Sequence, residues 1–223
     1  MTPSIVVRAS GIAAIAAGAL FALIQFVHPA ETLEAMTTDV WLVVHVLTLV
    51  FPILGLFGIT GAYARQIARA GVLGFVAYVV FALGFVGLAC FGFYEAFVAP
   101  VLAVEAPTYA LDAVGILSGG AGPGLLGVVY QATGMLYLAG GIAFGVSIVI
   151  AGVLPRWTGI ALAAGTALSL LAGISIELGR GSAVVFGAAL VCVGLVLVLD
   201  RVSLAERARR AAGASSVDAV PTR

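Results

Sequence analysis

The sequence predicts an all-α polytopic membrane protein, a bundle of six transmembrane helices with the N- and C-termini cytoplasmic. Three observations indicate this fold class. Of the 223 residues, 63% are hydrophobic and 9% are charged, whereas a soluble domain carries about 25% charged residues. The apolar residues form long continuous runs, unlike the alternating pattern of outer-membrane strands. The arginines also fall almost entirely on one side of these runs.

Each predicted span is long enough to cross the hydrocarbon core of a bilayer, which takes roughly 20 apolar residues. The six spans cover residues 11–27, 40–62, 71–98, 127–154, 158–176 and 182–199. The first span follows Arg8, as the apolar run of a signal peptide would. Its run is long for such a peptide and has no clear small-x-small cleavage site, so we expect a retained helix. Residues 1–200 then form a single transmembrane domain.

The positions of the arginines predict the orientation of the chain. Six spans place nine of the ten basic residues on one side: Arg8, Arg65, Arg69, Arg156 and the five arginines of residues 201–223. Arg180 falls on the other side, together with most of the carboxylates. Since arginines concentrate in cytoplasmic loops, both termini are expected in the cytoplasm.

Two segments outside the spans have a distinct composition. In the outer loop, residues 99–126, apolar residues recur at helical spacing after Pro107, which predicts a short interfacial helix. The glycine run at 119–124 then predicts a hinge, and the loop is either a lid or a plain surface loop. The tail, residues 201–223, is arginine-rich and suited to anionic lipid, and we expect its end to be disordered.

Helix rise places many of the polar side chains near one plane, at the outer ends of the spans. Together with Gln25 and Thr48, which lie about one turn deeper, they form a candidate ligand-binding rim pocket. Its residues are Gln25, His28, His45, Thr48, Glu95, Tyr130, Gln131 and Glu177. The alternative is a solvated rim, at which spans simply end in polar residues. Trp41 and Trp157 are interpreted as headgroup-level aromatic residues.

The composition excludes several classes of function. Zero net charge offers no basic surface, so no nucleic-acid partner is expected. Cys90 and Cys192 lie inside apolar runs without the spacing of metal ligands. No phosphate loop, nucleophile elbow or dinucleotide motif is present, so no catalytic residue is assigned.

Three functions stay open. We expect a non-enzymatic protein that binds lipid or a small ligand, or an accessory subunit of a membrane complex, and we predict no cofactor. The first alternative is a small membrane transporter. The second is an oxidoreductase in which His28 and His45 ligate a haem or a transition metal, since neutral imidazole is a common ligand of both.

Small residues in the first and fourth spans predict close helix packing. Ser10, Ala14 and Gly18 recur along one stripe, and Gly141 and Gly145 form a GxxxG pair. Such residues let helix backbones approach closely in lipid. Packing within the chain is the expected use, and a homo-oligomer or another membrane subunit is the alternative. The lipid bilayer is the expected partner in either case.

Several short segments carry a family resemblance: His28-Pro29, Glu31-Thr32-Leu33, TTDVWLVVH, GITGAYARQ, FYEAFVAP and AGVLPRW. Through them the chain resembles the uncharacterised small six-span integral membrane proteins of actinobacteria, over residues 5–200. The resemblance implies a multi-pass protein of the bacterial plasma membrane with a six-helix fold. It implies no activity, catalytic residue or cofactor.

Overall fold

The computed structural model describes residues 3–115 and 124–199, and every regular element in those ranges is a helix. The α-helices are α1 (Pro3–Val27), α2 (Leu33–Met36), α3 (Asp39–Phe93), α4 (Ala99–Glu105), α5 (Pro107–Gly115), α6 (Leu126–Ala151), α7 (Arg156–Ala167) and α8 (Ile176–Leu199). A π-helical turn (Tyr94–Val98) joins α3 to α4, and a 3₁₀ helix (Leu168–Gly173) follows α7. The all-helical class is confirmed over these ranges. The predicted tail and most of the predicted glycine hinge lie outside them.

The long helix α3 is a hairpin. At Gly71 the backbone has φ 59° and ψ −166°, which reverses the chain between a first arm (residues 39–70) and a second arm (residues 72–93). The facing pairs are Leu49 with Gly92, Gly55 with Phe85, and Thr60 with Tyr78. The arms are therefore antiparallel, at the predicted second and third spans. The residues predicted to connect them, 63–70, are helical, so a single glycine makes the turn.

Six helical segments alternate in direction around a closed ring: α1, the two arms of α3, α6, α7 with its 3₁₀ extension, and α8. The contacts that show the alternation are Ser10 with Gly61, Ala14 with Gly58, Phe81 with Gly140, Gly84 with Tyr137, Gly145 with Gly159, Gly165 with Phe186, Gly18 with Gly187, and Gly11 with Gly194. Because α8 packs against α1, the ring closes on itself.

Four of the described helices are long and apolar enough to cross a membrane: Ile5–Val27, Asp39–Glu105, Leu126–Ala151 and Glu177–Leu199. The second of these includes both arms of the hairpin. The predicted fifth span is built differently, because its α-helical part has 12 residues and continues as a 3₁₀ helix of 6 residues. At 1.5 Å per residue the α-helical part alone is about 18 Å long.

The distribution of side chains is that of a membrane protein. Large apolar residues such as Leu23, Phe57 and Ile150 face outward, with Leu23 63% exposed. Polar residues such as Ser147 and Thr166 are buried between the helices instead. A soluble protein shows the reverse pattern, whereas polar side chains inside membrane bundles face the interior.

Small residues allow this packing, and they do so within the chain as predicted. A methyl group added to Gly18 would meet the carbonyl oxygen of Gly187, and one added to Gly145 would meet the carbonyl oxygen of Gly159. Such contacts bring helix backbones together in lipid, where no hydrophobic effect drives association.

The two ends of the bundle differ in charge. Arg69 and Arg156 line one shallow groove, and Arg65 lies one turn before Arg69; this is the arginine end. Glu31 and Glu95 line a cavity at the opposite, glutamate end. There the predicted helix after Pro107 is present as α5. The short helices α2, α4 and α5 surround a small cluster made of Met36, Trp41, Ala99, Ala103 and Ala110.

Candidate functional site

A cavity of about 650 Å³ lies between the helices at the glutamate end, and all six segments of the ring contribute to its lining. We call it the end cavity. It begins among the polar residues at the ends of the helices and continues inward among aromatic side chains. Tyr130 and Tyr137 both line it and are seven residues apart on α6, so it extends about 10 Å along the helix axis.

The structure brings most of the predicted site residues together. Those that line the end cavity are Gln25, His28, Thr48, Glu95 and Tyr130. His45 is fully buried behind them and contacts Glu95. Gln131 and Glu177 are exposed and lie outside the lining. Gln131 differs from Tyr130 by one position, about 100° around the helix, which turns its side chain away from the cavity.

Glu95 lies in the π-helical turn that ends the second arm. Its backbone carbonyl oxygen accepts a hydrogen bond of 2.7 Å from Nε1–H of Trp41, which belongs to the first arm. Single π-helical turns occur frequently at functional sites, because the extra residue changes the direction of the side chains. Here the turn and the indole together hold Glu95 at the cavity, with its side chain 13% exposed.

The carboxylate of Glu95 has only distant partners among the described residues. Its Oε1 lies 3.5 Å from the hydroxyl of Tyr130, and its Oε2 lies 3.9 Å from Nε2 of His45. Hydrogen bonds to oxygen normally measure about 2.5–3.2 Å between heavy atoms. The carboxylate is therefore placed to interact with a further group in the cavity.

His45 is hydrogen-bonded within the first arm. Its Nδ1 lies 2.8 Å from the carbonyl oxygen of Trp41, one turn earlier. Because a carbonyl can only accept, Nδ1 carries the proton and Nε2 is directed toward Glu95. The imidazole also stacks on the Trp41 indole, with ring centroids 3.9 Å apart. At 3.9 Å, Nε2 of His45 contacts Oε2 of Glu95 without a hydrogen bond, since both atoms are acceptors when Nδ1 carries the proton.

The pair formed by His28 and His45 does not suit a haem bound between them. The two rings are in edge-to-face contact, with centroids 5.1 Å apart, and Nε2 of His45 faces Glu95. A porphyrin with both as axial ligands would require the rings to separate and His45 to turn. Over the described ranges, no group of three or more His, Cys, Asp or Glu residues could hold a metal ion.

Trp41 and Trp157, both interpreted from the sequence as headgroup-level aromatic residues, differ in burial. Trp41 is 1% exposed, stacks on His45 and donates a hydrogen bond to the backbone carbonyl of Glu95. Trp157, by contrast, is exposed. The spacing of four residues between Trp41 and His45 already places them on one helix face. That spacing was the available signal for a joint role.

Two further charged residues line the end cavity beside His28. Glu31, between α1 and α2, and Arg180, in the first turns of α8, are both part of its wall. Burial raises the pKa of Glu31 above its ordinary value of 4.5, while the charges of His28 and Arg180 act in the opposite direction. Nothing in the sequence indicated that Glu31 and Arg180 line one cavity, because 148 positions lie between them in the chain.

The inner part of the cavity is aromatic, and sequence reasoning missed it. Phe21 and Phe51 line it and stack on each other with centroids 4.2 Å apart. Tyr137 lines it as well and contacts Phe186 edge-on. In an apolar sequence, an aromatic residue of a cavity wall looks the same as one of a packed core. The spacing from Phe21 to Gln25 and from Thr48 to Phe51 was the only signal.

No protein-family model, curated protein or solved structure matches the chain. The geometry of the end cavity is therefore the basis on which a function can be assigned.

Proposed function

We propose that this chain is a six-span protein of the bacterial plasma membrane with both termini in the cytoplasm. Two facts support this arrangement. The six segments alternate in direction, and the alternation brings Arg69 and Arg156 to one end and Glu31 and Glu95 to the other. The positive-inside rule assigns the arginine end to the cytoplasm. The end cavity then lies at the outer surface.

We propose further that the protein binds a small amphiphilic molecule in the end cavity and is not an enzyme. The observation that carries this proposal is the cavity of about 650 Å³ with polar residues at the end of the bundle and aromatic residues deeper inside. Binding sites for small molecules typically measure about 300–1,000 Å³ and are mostly apolar, with a few polar groups that orient the ligand. A molecule with a polar head and an apolar body matches both parts.

Filling the cavity tests this function. Gly134 lines the cavity, and a Cβ atom added there meets no neighbouring atom within 4 Å. In Gly134→Leu the new side chain should occupy ligand volume without disturbing the helices. We expect the affinity for an octyl amphiphile to fall at least about tenfold, which corresponds to roughly 1.4 kcal/mol. The measurement is calorimetric titration of octanol, octanoate and octyltrimethylammonium into the protein in zwitterionic nanodiscs, with empty nanodiscs subtracted.

Gly181→Leu is the matched control. Gly181 also has open space around an added side chain, but it does not line the cavity, so this variant should bind as the unchanged protein does. Saturable binding to none of the three amphiphiles, or equal binding by both leucine variants, would contradict the proposed function.

A further inference from the structure

The chemistry of the lining narrows the class of ligand, on the premise that the end cavity is the binding site proposed above. Among the residues that line it, Glu31 and Glu95 are carboxylates and Arg180 is the guanidinium. Arg180 interacts electrostatically with Glu31. Glu95 has no arginine partner among the described residues, and its nearest polar atoms are the imidazole of His45 and the hydroxyl of Tyr130. The cavity thus offers a carboxylate without a close cationic partner.

Aromatic rings lie beside this carboxylate. Phe91, one helical turn before Glu95, lines the cavity and stacks on Tyr130 with centroids 3.4 Å apart. The hydroxyl of the same Tyr130 is the one nearest to Oε1 of Glu95. A carboxylate with aromatic rings beside it favours organic ammonium groups, because both the negative charge and the ring quadrupoles attract the cation.

The same surroundings disfavour an inorganic cation. Calcium takes six to eight oxygen ligands, and magnesium requires an octahedron of them and keeps several waters. The polar contacts of the Glu95 carboxylate within the described ranges are one hydroxyl and one imidazole, which is far from such a shell of oxygen ligands. An alkylammonium instead brings its own apolar substituents, which match the aromatic wall formed by Phe21, Phe51 and Tyr137.

We propose that the ligand is a lipophilic organic ammonium, whose cationic head lies against Glu95 beside Phe91 and Tyr130. Its apolar body extends inward along Phe21, Phe51 and Tyr137. Glu31, at the same wall as Arg180, adds to the negative potential that the head encounters.

Head groups compared at a constant tail test this assignment. Octyltrimethylammonium, octanol and octanoate share one chain and differ in charge. In zwitterionic nanodiscs at neutral pH we expect the unchanged protein to bind the ammonium at least about tenfold more tightly than the alcohol, and the carboxylate most weakly. Glu95→Gln keeps the shape of the side chain and removes its charge, so the preference for the ammonium over the alcohol should fall about tenfold. Glu31 lies outside the π-helical turn, and Glu31→Gln should reduce the preference for the ammonium over the alcohol by a smaller factor.

Glu34→Gln is the matched control. Glu34 is exposed and does not line the cavity, so this variant should keep the full preference. Binding of octanol shows that each variant is folded and retains the cavity. If octanoate binds as tightly as the ammonium, or if Glu95→Gln keeps the preference, the assignment of an ammonium head at Glu95 is wrong. In that case the proposed amphiphile binding is still supported if the unchanged protein binds octanol and Gly134→Leu does not. If the unchanged protein binds none of the three ligands, both proposals are wrong.

Discussion

Individual buried polar residues in this bundle differ sharply in how well they are satisfied. Thr166 donates its hydroxyl to the carbonyl of Leu162 at 2.7 Å, and Ser147 donates to Phe144 at the same distance. His45 has its Nδ1–H bonded to Trp41. Gln66 is an exception, because it is 1% exposed and neither polar atom of its amide has a hydrogen-bond partner among the described residues.

We expect Gln66→Met to stabilise the protein. A buried amide without partners loses its hydrogen bonds to water and gains none in the protein, which lowers the stability of the folded state by about 1–3 kcal/mol. Methionine is unbranched and adapts to irregular core spaces, so the free energy of unfolding should rise by a comparable amount. Unfolding in mixed detergent micelles measures it. Gln131→Met, at an exposed position of α6, is the control for added apolarity. A loss of stability in Gln66→Met alone would show that the amide has a partner.

At the scale of elements, the hairpin of α3 depends on one backbone conformation. Gly71, at φ 59° and ψ −166°, lies in a region of dihedral space that is essentially restricted to glycine. An added side chain there would meet no neighbouring atom. Any effect of substitution therefore reports the backbone conformation and not a steric clash.

Gly71→Ala should lower the free energy of unfolding by about 1–3 kcal/mol, the cost of holding a non-glycine residue in such a conformation. The same detergent unfolding experiment measures it. Gly181→Ala is matched, since Gly181 also has open space but lies inside a regular helix, and alanine should be neutral or stabilising there. Equal stability of Gly71→Ala and the unchanged protein would mean that the turn can adopt another conformation.

For the whole molecule, the orientation in the membrane is the property that the proposed function requires. Glu34 lies in α2 at the glutamate end, and Val153 lies in the turn between α6 and α7 at the arginine end. In a chain with Cys90 and Cys192 replaced by alanine, we expect Glu34→Cys to react with a membrane-impermeant maleimide on intact cells. Val153→Cys should react only after the cells are permeabilised, because the arginine end faces the cytoplasm. The opposite labelling pattern would overturn the six-span orientation.

The sequence predicted the depth of the candidate site residues along their helices, but not the direction in which their side chains point. Helix rise placed His28, Glu95 and Tyr130 at one level and Gln25 and Thr48 about one turn deeper, and all five line the end cavity. Gln131 and Glu177 were predicted at the same level, but their side chains are exposed and do not point into the cavity. Rotation about the helix axis depends on which neighbours each helix packs against, and a single sequence does not contain that information.

The sequence by itself determined the helical class, the positions of the long helices and the separation of arginines from carboxylates. These follow from hydropathy, glycine content and charge, which are local properties of a chain in an apolar solvent. Only the tertiary structure decided that one glycine turns the α3 hairpin and that His45 lies beside Glu95. It also decided that Phe21, Phe51 and Tyr137 enclose a cavity. These features arise where segments distant in the chain come into contact, and the side chains that meet there depend on how closely small residues let the helices approach.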